Sequence, residues 1–513
     1  MYSFLDDPLS ATLAAGLAAL AYLSSLAVYR LYFHELVRFP GPKLAALSKW
    51  YDFYYDVYLK GQFVFKLQEL HDQYGPIIRI APDELHISDP DFYVEFFTKQ
   101  GPQSKYAWAA NRFNNGTSVF ATVPPDHHKL RRRPLEPMFA RAQIRQLLPT
   151  LQEKIAKMLT KFRTYQAGGQ VLRLDRACVA LSEDMIFEYG FGICREALDK
   201  PDFKDPLHEV LVQAGAAGVL SLHFPILPED YQRAARFALQ DDENIKSRNP
   251  KAHRTVMLDL LNDAELPPSE KTARRHLDEA QAVIGAGLST TGWAATVGIY
   301  HILANPAIVA RLRDELYTMM PRGAKREDCT DLDWVALEAL PYLQASIREC
   351  LRLSYGMSAR NSSVTHKEVM YTESAQYAAL PPNGSDSDSD NKRPSQGRTW
   401  HIPAYTPVSM SIPLVNHNEH VFPNSHTFNP DRWLGPNKVP ERYFVSFSKG
   451  TRMCLGMQLA WAELSLMLAG LVRWFDFELY ETDARSVKMG SDVTIPVPAS
   501  NDGVWTKVKA ELD

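Results

Sequence analysis

The sequence predicts a mainly α protein with small β-sheets, carried behind one N-terminal transmembrane helix. Three observations predict it. Residues 9–29 carry no charge, and as a helix they span about 30 Å, the thickness of a bilayer core. Apolar residues then recur at helical spacing over most of the chain, in runs longer than strands need. Period-two alternation is confined to short segments near the N-terminus and in the tail. A 45% hydrophobic content over 513 residues suits one large core, since length is only a soft guide to domain number.

Taken in order, the apolar run is preceded by Asp6 and Asp7 rather than by basic residues, and is followed by Arg30, Arg38, Lys43 and Lys49. Both features favour an uncleaved anchor over a signal peptide and keep the bulk of the chain cytosolic. Phe39, Pro40, Gly41 and Pro42 then make a stiff turn. Residues 63–74 read as a helix, and residues 77–80 and 84–87 as a hairpin about Pro82 and Asp83. Helical patterns follow at 143–165, 172–189 and 205–221; Phe224 and Pro225 break the run, and another helix is expected from Glu229. A long helix covers 271–303 and a shorter one 342–353. Residues 381–398 carry alternating serine and aspartate, too polar to fold alone, and read as a surface-loop insertion. Strand pattern resumes at 400–404, and the tail from Phe475 reads as short strands.

A net charge of −4 gives no case for nucleic acid or for a strongly acidic substrate. The five cysteines, Cys178, Cys194, Cys329, Cys350 and Cys454, are odd in number and lack paired spacing. That argues against a disulfide framework and for a reducing compartment.

Four stretches carry chemistry. Residues 447–456 read Phe-Ser-Lys-Gly-Thr-Arg-Met-Cys-Leu-Gly, and helical periodicity follows at 457–474. Cys454 therefore sits at a helix N-terminus, where amides and the helix dipole favour a thiolate, the form of cysteine that ligates metal. Gly450 and Gly456 permit conformations and close approaches that a Cβ blocks. The competing reading is a buried structural cysteine after a glycine turn. In the long helix, Gly285, Ala286, Gly287, Leu288, Ser289, Thr290 and Thr291 follow one another. Each helical glycine costs on the order of 1 kcal/mol relative to alanine, so keeping Gly285 and Gly287 points to something flat against the backbone, or to a small-residue packing seam. A phosphate loop would need a Gly-Lys-Ser/Thr pattern and a flanking strand, and neither is present. Glu349 and Arg352 share a helix face at i, i+3. Finally, residues 125–139 hold His127, His128, Lys129, Arg131, Arg132 and Arg133, a solvated basic face or a docking surface for an acidic partner.

Together these motifs resemble the cytochrome P-450 family. Its haem loop reads Phe-x-x-Gly-x-Arg-x-Cys-x-Gly, its oxygen helix Ala-Gly-x-Asp/Glu-Thr-Thr, and its Glu-x-x-Arg is followed by Pro-x-Arg-Trp, here Pro430, Arg432 and Trp433. The wording looks most like filamentous-fungal members from secondary metabolism, and the resemblance covers essentially the whole chain. It implies the cytochrome P-450 fold, with residues 1–38 as anchor and 39–513 as a haem-thiolate catalytic domain. It implies haem b, with Cys454 as the axial ligand of the iron. Arg452 would reach a propionate, Phe447 would pack beside the sulfur, and Gly450, Gly456 and Gly287 would let backbone approach the macrocycle. Thr290 takes the oxygen-side position, with Ser289 beside it where the family has an acid. The family's propionate-binding Trp-x-x-x-Arg, aligned on Pro137, Met138 and Phe139, falls on His128 and Arg132. A further propionate arginine of many relatives is Ser363 here, which throws haem anchoring onto Arg452 and Arg132. Glu349, Arg352 and Arg432 are expected to form a buried structural triad, residues 354–360 to line the pocket, and residues 493–495 to lie near the substrate mouth.

The function so implied is a haem-thiolate monooxygenase that inserts one atom of dioxygen into an apolar small molecule. Electrons would come from NADPH through a separate reductase, and the enzyme would sit as a single-pass protein of the endoplasmic reticulum membrane with its catalytic domain cytosolic. The departures at Ser289, Ser363 and His128 leave two alternatives open. One is a haem-thiolate enzyme that rearranges, desaturates or couples without net oxygen insertion. The other is a non-catalytic haem or ligand binder.

Overall fold

The apolar run is helical from its start. In the computed structural model, which describes residues 8–224, 255–323, 333–374 and 397–512, α1 (Pro8–Val28) continues through a π-helical turn at Tyr29–Phe33. The stretch Ala11–Phe33 is long and apolar enough to cross a membrane, and none of it is buried against the rest of the chain. It fits a transmembrane anchor. Arg79 fastens the chain just beyond it. The Arg79 guanidinium donates to the carbonyls of Arg30 and Pro82 at 2.9 and 2.6 Å, and the Arg79 amide donates to the Pro40 carbonyl at 2.7 Å.

Among the described residues, ten further helices of eight residues or more build the body: α2 (Phe63–Tyr74), α3 (Pro90–Lys99), α4 (Pro125–Arg132), α5 (Arg141–Ala167), α6 (Leu174–Phe191), α7 (Pro206–His223), α8 (Ala273–Leu303), α9 (Pro306–Tyr317), α10 (Pro341–Ser354) and α11 (Met457–Trp474). Their starts follow from local chemistry. Asp89, Asp205 and Asn305 accept amide hydrogen bonds at the N-termini of α3, α7 and α9, each with proline in the first turn, which satisfies otherwise orphan donors. The insertion expected at 381–398 lies, up to residue 396, outside the described residues, and so does the helix expected from Glu229.

The centre of the body is α8, 31 residues and about 46 Å long. Its length and composition would also suit a membrane span, but it packs on α6, α10 and α11 inside the larger of two apolar clusters. Gly287 makes that contact close. A Cβ there would lie 2.5 Å from the Ile186 side chain of α6. Of the two readings of Gly287, a packing seam and an opening to a flat ligand, this contact supports the seam.

The second apolar cluster surrounds a five-stranded sheet. Its strands are β1 (Ile77–Arg79), β2 (Leu85–Ile87), β3 (Ser104–Lys105), β5 (Asn361–Val364) and β8 (Pro407–Met410), in the order β1-β2-β8-β5-β3; β4 (Val171–Arg173), β6 (Val369–Thr372) and β7 (Thr399–Ile402) belong to smaller sheets. Only β2 and β8 pair parallel; β1–β2 is the expected hairpin, and β3 pairs antiparallel with β5. In the tail, β9 (Phe475–Leu479) and β12 (Trp505–Glu511) form a sheet with β4, while β10 (Met489–Asp492) pairs with β11 (Pro496–Pro498).

Arg360 departs from expectation. It does not present itself to a pocket but sits buried among Asp52, Asp56 and Glu84, at 2.5, 3.8 and 3.2 Å. Burial opposes its charge, and the three carboxylates outweigh that and raise its pKa. The segment behind the anchor is thereby clamped to the strand that follows α10.

A candidate cofactor site at the cysteine loop

The loop before α11 is folded by its own backbone. The Cys454 amide donates to the Phe447 carbonyl at 2.9 Å, and residues Gly450–Arg452 make one 3₁₀ turn. Gly450 has φ +75°, and a Cβ there would lie 2.0 Å from the Phe97 carbonyl oxygen of α3, so only glycine fits. Gly456 caps α11 at an ordinary φ of −81°, and beyond its chain neighbours no atom of the described residues lies within 4 Å of where a Cβ would sit. Phe447 leans edge-on against Phe444, ring centres 6.0 Å apart.

Cys454 keeps accessible surface, although the surrounding protein is close enough to desolvate its thiol. Cys178 and Cys350, by contrast, have none. Burial pushes the Cys454 thiol up, while a hydrogen bond from the Gly456 amide and the charge of Arg132 draw it down. These are the influences that stabilise a thiolate once a metal takes the proton's place.

Cations gather beside it. Arg452 donates to the carbonyls of Thr122, Val123 and Gln103 at 2.8, 2.8 and 3.4 Å. Arg132 of α4 donates to the Met453 carbonyl at 2.9 Å and pairs with Glu136 at 2.7 Å, so part of its role is to brace the loop. His128, one turn earlier, is buried; burial first, then Arg452, Arg132 and Lys105, push its pKa down to about 3, and it is neutral. Burial and then Arg132 bring Arg452 down to about 10. The rest of the basic stretch is divided: Lys129 and Arg133 are exposed, and the other two are paired. Arg131 and His127 both bond Glu270, at 2.7 and 2.6 Å.

Lys105, which no sequence pattern singled out, joins this group: it lowers the pKa of His128 and makes no ion pair among the described residues. An accessible thiol beside two cations, Arg452 and Lys105, that meet no carboxylate among the described residues fits an iron-bearing macrocycle with an anionic edge, so the residues present suit haem.

On α8, Ala286 and Thr290 keep accessible surface while Leu288 and Ser289 are buried. The Thr290 hydroxyl donates to the Ala286 carbonyl at 2.7 Å. Ser289 was expected to work with it, but its hydroxyl is buried and finds no partner among the described residues, Thr290 included. Ser363 is buried on β5. In the tail, the buried Thr494 accepts from Arg112 at 3.0 Å, and Ser221 of α7 donates to the Arg112 carbonyl at 2.9 Å.

Behind the loop, the three charged residues read from their motifs come together. Glu349 accepts from Arg352 at 2.7 and 2.9 Å, from Arg432 at 2.9 Å, from the Trp433 indole at 2.9 Å and from the Asn429 amide at 3.0 Å. All three charged side chains are buried. Five donors on one carboxylate satisfy the condition under which buried charge persists. A groove of about 650 Å³ opens beside the loop, lined by Phe447, Lys449, Met457, Trp461, Arg141 and Arg348 among others.

Comparison with known proteins agrees with this geometry. The family profile "Cytochrome P450" matches residues 49–369 and 393–501. The cytochrome P450 monooxygenase sdnE of Sordaria araneosa is 38% identical, over 95% of this chain and 96% of its own length. The cytochrome P450 monooxygenase tpcC of Cochliobolus heterostrophus is 34% identical over 95% of each chain. The tryptophan 6-hydroxylase fscE of Fusarium equiseti is 37% identical over 92% of each. An accessible cysteine on a loop braced by a buried triad, in a helical body matched by this profile along most of its length, places the chain in the cytochrome P450 family.

Proposed function

We propose that the protein is a haem-thiolate monooxygenase of fungal secondary-metabolite biosynthesis, inserting one atom of dioxygen into an apolar small molecule. The observation that carries this is Cys454: a cysteine just before a helix N-terminus that keeps accessible surface although the surrounding protein desolvates its thiol. Haem, when bound, supplies the dioxygen chemistry. Cys454 would hold its iron, and Arg452, Arg132 and the neutral His128 would hold its propionates. Electrons would come from NADPH through a separate reductase, for which the groove bearing Arg141, Arg348 and Lys449 offers a docking surface. Dioxygen labelled with ¹⁸O tests the reading: the product of turnover should carry one labelled atom. Unlabelled product, formed with NADPH consumed, would replace insertion with rearrangement, desaturation or coupling. That second reading gains support from Ser289, which offers no acid beside Thr290.

Within this reading Thr290 is the group that passes protons toward dioxygen, and Ser289 contributes little. A hydroxyl can relay a proton but cannot store one. Thr290→Ala should lower the ratio of product to NADPH consumed by about tenfold, below the roughly hundredfold or more typical of a general acid–base group because a hydroxyl only relays the proton, and release hydrogen peroxide instead. Ser289→Ala should change the ratio less than about twofold. Equal losses in the two variants would restore the two-residue relay.

Residues 1–38 would form the anchor and residues 39–513 the catalytic domain, facing the cytosol at the endoplasmic reticulum. Deleting residues 1–28 should leave a haem-loaded domain, because the cut spares Arg30, whose guanidinium donates to the Leu47 carbonyl at 2.5 Å and whose carbonyl accepts from Arg79. Some membrane attachment should persist through the exposed Leu44, Trp50, Tyr54, Tyr58 and Phe224, since aromatic side chains favour the headgroup interface. Flotation with liposomes and the haem content of the truncated chain check both statements. A truncated chain unable to take up haem would refute the division.

A further inference from the structure

We propose that Cys194 is a peroxide-sensitive modification site, an exposed thiol oxidised to a sulfenic acid against the ammonium of Lys154. The inference does not depend on haem or on the function proposed above. Its basis is a contact made by the turn that follows α6. Gly192 ends α6 in a left-handed conformation, φ +73°, which glycine adopts without steric cost. Two residues on, the chain meets α5, where the Lys154 Nζ donates to the Cys194 sulfur at 3.2 Å.

The two partners differ in the way a reactive pair requires. Lys154 is buried and Cys194 is exposed, so peroxide reaches the sulfur from solvent while the ammonium stands behind it. Lys154 keeps its charge. Burial opposes that charge, but the Glu188 carboxylate of α6, 2.7 Å away, and then Cys194 itself outweigh burial and raise the lysine pKa. Because Glu188 already serves as counter-ion, the sulfur is not needed to neutralise the ammonium. A cysteine attacks as its thiolate, and a cation beside the sulfur favours that form. Among the other described cysteines, Cys178 and Cys350 are buried, and Cys454 is the candidate iron ligand. The step is a two-electron oxidation. The sulfur attacks one oxygen of hydrogen peroxide, an S–O bond forms as the O–O bond breaks, and the thiol proton leaves with the oxygen that departs as water. Sulfur is oxidised and peroxide reduced, while Lys154 retains its protons and donates to the new sulfenic oxygen. Condensation with a soluble thiol reverses the modification.

The experiment treats the full-length, haem-loaded chain in detergent with hydrogen peroxide in the presence of dimedone, which traps sulfenic acids. Mass spectrometry of the digest gives the initial rate of adduct formation at each cysteine. In wild type the adduct should form at Cys194 and not at Cys178 or Cys350. Its rate should exceed that of the same thiol in the urea-unfolded chain by about tenfold, the scale of one charge-assisted hydrogen bond. Lys154→Met combined with Glu188→Gln removes both charges together, so that neither is stranded, and should slow labelling by about tenfold. Lys154→Arg should stay near wild type. Reaction of peroxide with haem is common to every variant and drops out of the comparison. A double variant that labels at the wild-type rate overturns the proposal. So does a wild-type chain whose Cys194 forms no adduct, or reacts more slowly folded than unfolded, a comparison that needs no variant to fold. Equal labelling of Cys178 and Cys350 would also overturn it, by showing general opening of the fold rather than a reactive pair.

Discussion

Glu349→Ala should yield little or no haem-containing protein. The carboxylate collects five hydrogen bonds from Arg352, Arg432, Trp433 and the Asn429 amide. Removing it leaves two guanidinium groups buried and facing each other without a counter-charge. Breaking a buried ion pair from one side costs about 3–5 kcal/mol, a large share of the 5–15 kcal/mol or so that typically holds a fold together. The damage would be local to the frame of the haem loop, since Arg352 also donates to the Asn416 carbonyl and Arg432 to that of Pro423. Holoprotein yield and the ratio of haem to protein absorbance check the outcome. Glu349→Gln should also fail, though less severely, because it keeps the shape and loses the charge. Normal holoprotein with only slower turnover would show that the triad is not structural.

Cys454→Ala should abolish product formation while leaving the apoprotein's stability almost unchanged. The two halves of this expectation have one cause. Cys454 keeps accessible surface, so removal of its sulfur forfeits little packing, and substitutions at accessible positions usually stay within about 0.5 kcal/mol. The loop's shape is set by backbone contacts, the Cys454 amide on the Phe447 carbonyl and the Gly450 turn against Phe97, which alanine preserves. The apoprotein's thermal midpoint should therefore move by about 2 °C or less. A large drop would identify Cys454 as a structural cysteine, the reading that competes with ligation.

How much of this was legible in the sequence depended on where the signal lay. The helix at Phe63–Tyr74 and the hairpin after it were readable because local periodicity and turn residues determine them. The triad was readable because each member sits in a motif of fixed spacing. Gly287 stayed open because a glycine that admits a ligand and one that admits a neighbouring helix leave the same trace; the contact with Ile186 of α6 appears only in the fold. Arg360 misled because its carboxylate partners lie about three hundred residues away, in segments without a charge pattern. Lys105 was invisible for a related reason. It ends a two-residue strand, too short for any alternation, and only the fold brings it close enough to His128 to act on it. Ser289 was legible as a departure but not as a buried, unpartnered hydroxyl, since adjacent positions on a helix point about 100° apart.

The ligation of iron by Cys454 is the claim on which the rest depends. The measurement that tests it most directly is the absorbance spectrum of the reduced, carbon monoxide-bound protein, recorded for the full-length chain and for Cys454→Ala. The expected result is a Soret band red-shifted by thiolate ligation in the wild type and absent from the variant. A wild-type band at the position given by a neutral axial ligand, or a red-shifted band that survives in Cys454→Ala, would contradict the account.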